Sequence, residues 1–159
     1  MVRIRPTIRE DYDAIIEVLK KTDHFTDGEI KIADELLNSY FNQSIESGYW
    51  TYTALTDRVA GYICYGPTPL TVGTYDIYWI AVDPAVQGQN IGTELLSFAE
   101  DDIMKNRGRL ITVYTSSQEK YISTRNFYVK RGYREGARIR DYYRPADDLV
   151  IYVKQISED

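Results

Sequence analysis

Residues 86–96 read VQGQNIGTELL and follow directly on YWIAVDP at 78–84. The apolar run is rich in aromatic and β-branched residues and stops at Pro84, as a strand does. Beyond the loop, Ile91, Leu95, Leu96, Ala99 and Ile103 recur at helical spacing. A loop that leaves a strand and opens a helix presents unpaired backbone N–H groups at the positive end of the helix dipole, which together make an anion site. Gly88 and Gly92 remove side chains that would block a phosphate, and Asn90 is one of the few other residues that tolerates a left-handed backbone. Glycine also serves turning alone, so the loop by itself leaves both readings open.

Spacing narrows the phosphate. Counting from Gly88, a dinucleotide fingerprint would need glycine where Asn90 and Thr93 stand. A P-loop needs Gly-Lys-Ser/Thr, and neither Gly88 nor Gly92 is followed by lysine.

Working outward, residues 74–82 (TYDIYWIAV) form the strand before the loop, and period two would put Asp76, Tyr78, Ile80 and Val82 on one face. The helix runs from Ile91 to about Asn106, closed by Arg107 and Gly108, and residues 109–115 (RLITVYT) are the next strand. A strand, helix, strand unit implies that its two strands are parallel. Upstream, residues 2–5 are a short strand, 8–21 and about 27–46 are helices, and 49–55 and 59–65 are a hairpin around TDR. Thr7 with Glu10, and Thr26 with Glu29, have the spacing of capping boxes. Downstream, Ser116 and Glu119 offer a third box for a helix from about 118 to 131, and residues 133–143 and 149–156 are strands joined through RPADD.

No repeat and no Pro/Gly/Ser linker divides the 159 residues, so one domain spans 1–159. A formal charge of -5 and a pI near 5.0 argue against a nucleic-acid binder, which would carry a basic face. The start of the chain has no signal-peptide pattern and no apolar run reaches a membrane span, so a cytoplasmic protein without membrane attachment is expected. A single cysteine, Cys64, and a single histidine, His24, leave no disulfide and no expected metal site. Tyrosine is abundant, with 15 copies, and tyrosine-rich strands could support a homodimer.

Three stretches together resemble the GCN5-related N-acetyltransferases. Gln87, Asn90 and Gly92 fall on the fixed places of the motif Gln/Arg-x-x-Gly-x-Gly/Ala, with Asn90 in place of the usual glycine; YDIYWIAVDP resembles the fourth strand of that family, and RNFYVKRGYRE its fourth helix. The resemblance implies an α/β (α+β) fold: a mixed, mostly antiparallel sheet of about seven strands with helices on both faces. It also implies transfer of the acetyl group of acetyl-CoA to a primary amine, on a small molecule or a peptide, without a metal. The pyrophosphate would lie on the amides of Gln87, Gly88, Gln89, Asn90, Ile91, Gly92 and Thr93, and the pantetheine arm along Ile80, Ala81 and Val82. The amide of Val82 or Ala81 would then polarise the thioester carbonyl. Lys130, which could reach the ribose phosphate, and Phe127 belong to the same cofactor set, and so does Tyr121, where relatives place an asparagine. Tyr128 falls on the tyrosine that protonates the leaving thiolate, and Asp76 matches the place of a strand-four glutamate that serves as base. A base matters because a lysine-like amine costs on the order of 4.6 kcal/mol to deprotonate at neutral pH, an α-amine roughly 1 kcal/mol. His24 and Phe25 lie between the first two helices, where relatives form one wall of the acceptor site, although on its residues this is a surface loop. RIRDYYRP at 138–145 could select an acidic part of the acceptor or simply be a solvated strand. The rival reading is a non-catalytic acyl-CoA binding or sensing module.

Overall fold

Strand propensity and helix caps translate into a seven-stranded sheet with two helices on each face. The computed structural model describes residues 2–22 and 24–157. The strands are β1 (Arg3–Pro6), β2 (Trp50–Leu55), β3 (Val59–Pro67), β4 (Thr74–Val82), β5 (Leu110–Ser116), β6 (Arg134–Arg144) and β7 (Asp147–Gln155). The helices are α1 (Tyr12–Lys21), α2 (Asp27–Gln43), α3 (Ile91–Lys105) and α4 (Ile122–Lys130). Strand order is β1-β2-β3-β4-β5-β7-β6, antiparallel except for the β4–β5 pair, which the connecting helix α3 makes parallel.

Two apolar layers sandwich the sheet. Ile91, Leu95, Leu96, Ala99 and Ile103 of α3 and Tyr128 of α4 pack with Ile77, Ile111 and Val113 on one face. Ile15, Val18 and Leu19 of α1 and Ala33 and Leu37 of α2 pack with Tyr62, Cys64 and Ala81 on the other. Cys64 is buried there, and burial raises its thiol pKa, so it is a packing residue.

The helix starts differ from their sequence signals in instructive ways. Thr26 does cap α2, its Oγ1 accepting from the Glu29 amide at 3.2 Å. Thr7 does not cap α1: its hydroxyl is buried against Thr53 at 2.9 Å, and Asp11 instead accepts from the Ile8 amide at 3.0 Å, after which a 3-10 turn over Arg9–Asp11 leads into the helix. The carboxylate of Asp11 also takes two bonds from Arg5, at 2.7 and 3.0 Å, a stronger claim than a local box makes. Ser116 accepts from the Gln118 amide at 3.1 Å but gives its proton to Asp147 at 2.5 Å, so the third segment opens as a 3-10 turn, Glu119–Tyr121, before α4. The last hairpin is tighter than RPADD suggests, with only Pro145 and Ala146 between β6 and β7 and Ala146 at φ 66°.

Residues 74–82 do not keep period two. Tyr65 of β3 pairs with Ile77 and Cys64 with Trp79, so Tyr78 is an extra residue on β4. This β-bulge turns the strand over. Tyr78, Trp79 and Ala81 pack under α1 and α2, whereas Ile80 and Val82 pack on the α3 side; Asp76, Tyr78, Ile80 and Val82 therefore do not share a face. The bulge also marks where β4 leaves β5. Their parallel pairing ends at Ile77 with Val113, while β5 stays paired with β7 as far as Ser116.

Candidate active site

A cavity of about 640 Å³ occupies the V between the diverging ends of β4 and β5. One wall is Ile80, Ala81 and Val82, the opposite wall is Val113 to Ser116, and α4 contributes Phe127 and Tyr128. Because the strands have parted, backbone groups of β4 beyond the bulge have no partner strand on the β5 side. Such groups stay exposed to the cavity and can receive a ligand.

At one end the cavity reaches Gln87 and Gly92 of the loop before α3. Gly88 and Asn90 both have positive φ, 87° and 62°, so the loop uses the left-handed conformations that its residue types permit. A Cβ built on Gly88 would meet nothing within 4 Å, which leaves open space above the loop. The first backbone bond of α3 runs from the Glu94 amide to Asn90 O at 3.0 Å, and no side chain caps the turn. The amides of Ile91, Gly92 and Thr93 are thus left without an intrahelical partner, as a phosphate cradle requires. The side chain of Ile91 itself is buried in the core, so only its amide is available; Gln89 is exposed.

Arg131, which the sequence reading passed over, binds this loop to α4. Its guanidinium lies 3.8 Å from the Phe127 ring centroid, Nη1 donates to Phe127 O at 2.8 Å, and Nε and Nη2 both donate to Thr93 Oγ1, the former at 3.1 Å. With its lone pairs so engaged, the Thr93 hydroxyl is left as a donor. The only signal in the sequence was an arginine at the variable place between Lys130 and Gly132. Lys130 is exposed and does not line the cavity.

Tyr128 is 3% exposed, its ring held edge-on between those of Phe127 and Tyr133 at 5.2 and 5.3 Å. Burial raises its pKa, so the phenol stays protonated at neutral pH. Its hydroxyl has no hydrogen-bond partner among the described residues, yet the side chain lines the cavity. Asp76 lies elsewhere. It accepts from Thr112 at 2.5 Å and Thr68 at 2.7 Å and is not part of the cavity wall.

The far end of the cavity is built by the α1–α2 junction, the bulge and the β6–β7 hairpin: His24, Phe25, Glu29, Tyr78, Trp79, Tyr143, Arg144 and Asp147. His24 is therefore part of this wall and no detached surface loop. Tyr121 closes it, donating to His24 O at 2.9 Å and lying 3.4 Å from Glu29 Oε1; burial, then Glu29, pushes its pKa up to about 12. Of the RIRDYYRP cluster, Tyr143 and Arg144 reach the cavity, and Arg138 is taken up by Asp148 and Glu135. No group of three His, Cys, Asp or Glu able to hold a metal occurs among the described residues.

A splayed parallel pair, a phosphate-type loop on the intervening helix and a cavity-facing tyrosine define an acyl-CoA-dependent transferase. Residues 12–133 match the acetyltransferase (GNAT) family model, and the chain belongs to that family. A protein from Desulfovibrio desulfuricans assigned as a GNAT acetyltransferase has a crystal structure that superposes with a TM-score of 0.95 at 37% identity, covering 99% of this chain and all of that one. An uncharacterised N-acetyltransferase of Methanocaldococcus jannaschii is 26% identical over 132 residues, 79% of this chain and 82% of its own. The fold is shared, at TM-score 0.78 and 21% identity, with a Salmonella typhimurium acetyltransferase solved with acetyl-CoA, over 99% of this chain and 95% of that one. The protein is an acetyl-CoA-dependent N-acetyltransferase, and no helix among the described residues is long and apolar enough to cross a membrane.

Proposed function

We propose that the chain acetylates a primary amine by direct attack within a ternary complex, with donor and acceptor entering the cavity from opposite ends. Acetyl-CoA supplies an activated acetyl thioester; everything else is positioning and proton movement by this chain. The amides of residues 87–93, with the Thr93 hydroxyl, hold the pyrophosphate, and Ile80 to Val82 guide the pantetheine arm past Phe127 and Tyr121. A backbone donor of Ala81 or Val82 polarises the carbonyl where β4 has left β5. As the C–N bond forms and the C–S bond breaks, Tyr128 gives its proton to the departing sulfur and recovers one from solvent.

The observation that carries this reading is Tyr128: a buried phenol that lines the cavity, with its hydroxyl unclaimed among the described residues. A sensing module has no need of it. Asp76 is too engaged with Thr68 and Thr112 to serve as a direct base, so the amine loses its proton to solvent water, with backbone carbonyls only orienting the nitrogen or the water. A cytoplasmic location is part of this reading, since a chain with Cys64 as its single cysteine has no intramolecular disulfide to maintain. The deciding experiment is calorimetry with acetyl-CoA and NAD beside free-thiol release over peptides, amino acids, polyamines and aminoglycosides. Acetyl-CoA binding with release on one amine class is the expected result; binding without acceptor-dependent release would favour the sensor, and no binding would overturn the reading of the loop.

A further inference from the structure

The acceptor end of the cavity combines aromatic rings with one carboxylate that is only half engaged. His24, Phe25, Tyr78, Trp79, Tyr121 and Tyr143 supply the rings. Two carboxylates stand among them. Asp147 is 3% exposed and both its oxygens are taken, Oδ1 by Ser116 at 2.5 Å and Oδ2 by Gln118 at 2.9 Å and Arg144 at 3.4 Å. It is a hub that fixes the hairpin to the end of β5. Glu29 is different. Its Oε1 accepts from Thr26 at 3.3 Å and faces the Tyr121 hydroxyl at 3.4 Å, while Oε2 has no partner among the described residues and no cation pairs with it. The cations of the same wall do not pair with it: Arg144 is turned to Asp147, and Lys120, which also lines the cavity, has its ammonium 5.0 Å from the Tyr121 ring centroid and forms no ion pair with Glu29.

Aromatic faces and a free carboxylate oxygen are the complement of an organic cation. That cation is not the nitrogen that attacks, because a carboxylate beside an ammonium favours its charged form and makes deprotonation harder. We infer that the acceptor is a diamine-type molecule, a primary amine carrying a second cationic group several methylenes away, and that Glu29 anchors that second charge while the first nitrogen reaches the thioester. The inference rests on the acetyl-transfer reading for the fate of the first amine, and on the wall geometry alone for the second.

The test separates the two. Calorimetry on the CoA-loaded protein compares 1,5-diaminopentane, pentylamine and 5-aminopentanoate, which share a chain and differ in the far group. The expected result is diamine binding at least tenfold tighter than pentylamine, with the aminoacid weakest, and a preference that shrinks below threefold in Glu29→Gln. That variant keeps the α2 cap, because the Glu29 amide and not its carboxylate donates to Thr26 Oγ1, so its melting temperature and CoA affinity serve as controls. Equal binding of diamine and pentylamine, or a preference that survives Glu29→Gln, overturns the inference. Glu29-dependent diamine binding without thiol release from acetyl-CoA would uphold the anchor and refute the transfer reading instead.

Discussion

Replacing Tyr128 by phenylalanine removes one oxygen and leaves the packing in place. The ring sits edge-on between Phe127 and Tyr133, contacts that phenylalanine reproduces, and the hydroxyl bonds to none of the described residues, so no internal hydrogen bond is lost on folding. The melting temperature should therefore stay within about 2 °C, the shift that corresponds to less than about 1 kcal/mol in a chain of this length. Catalysis is another matter. In the transition state the hydroxyl would meet sulfur that is gaining negative charge, and a hydrogen bond to a charged group is worth about 1.5–3 kcal/mol. At 1.36 kcal/mol per factor of ten, that is roughly a 10- to 150-fold loss of turnover. Because the ground-state thioester carries no such charge, binding of acetyl-CoA should change by less than about twofold. Thiol-release kinetics at saturating acetyl-CoA and calorimetry on the same preparation read the two quantities. A turnover number within twofold of the wild type would refute the role of Tyr128, and a parallel loss of acetyl-CoA affinity would mean that the hydroxyl binds substrate and does not act as an acid.

Other consequences follow from backbone and charge. Asn90 holds φ 62° at the head of α3; a β-branched valine there meets a strain of about 1–2 kcal/mol, so Asn90→Val should weaken acetyl-CoA about 5- to 30-fold by calorimetry, whereas Asn90→Gly should bind at least as tightly as the wild type. A Cβ on Gly61 would lie 2.5 Å from Ala81 O and 3.2 Å from Val82 Cα; Gly61→Ala should lower stability by about 1–3 kcal/mol in a thermal melt and reduce turnover by pushing β4 aside, and an unchanged melt would show that β3 and β4 do not approach so closely. Asp11 is buried, which by itself would raise its pKa, but Arg5, the Ile8 amide and Thr53 outweigh burial and hold it below the usual carboxylate range. A depressed folded pKa contributes stability that is complete above the unfolded value near 3.9 and is lost as pH falls through the folded one. Acid unfolding followed by circular dichroism should thus steepen below about pH 4, and Asp11→Asn should flatten that limb while lowering the melting temperature at pH 7 by roughly 4–8 °C.

Periodicity and caps made most elements legible, since they depend on neighbours in sequence: the α3 stripe, the Thr26 cap and the left-handed Asn90 are local facts. Long-range partners decided the rest. Thr7 has the spacing of a cap, but Thr53, 46 residues away, takes its hydroxyl. Ser116 could cap α4, but Asp147 across the sheet takes its proton. Asp76 stands where a base would, and two threonines from neighbouring segments occupy it. In each case a short polar side chain had a local option and a better non-local one, which no reading of a few adjacent residues reveals.

The bulge at Tyr78 is the most consequential of these hidden facts, because it is a property of how β4 pairs with β3 and not of β4 itself. One inserted residue has two effects at one place. It ends the β4–β5 ladder at Ile77, which opens the cavity and frees backbone donors for a carbonyl. It also reverses the faces of the strand, so that Ile80 and Val82 join the layer of α3 and α4 that carries the phosphate loop and Tyr128, while Tyr78 and Trp79 join the layer of α1 and α2 that carries His24 and Glu29. In the proposed reaction, donor and acceptor would therefore meet a single strand from opposite sides, at the point where its pairing with β5 has ended. The proposed chemistry then needs little beyond backbone and one phenol. The acceptor wall, built largely by side chains of the α1–α2 junction, the start of α2 and the β6–β7 hairpin, can change without disturbing the loop before α3. This division is why three short motifs point to the reaction, while the inferred acceptor rests on a carboxylate, that of Glu29, with one oxygen unclaimed among the described residues.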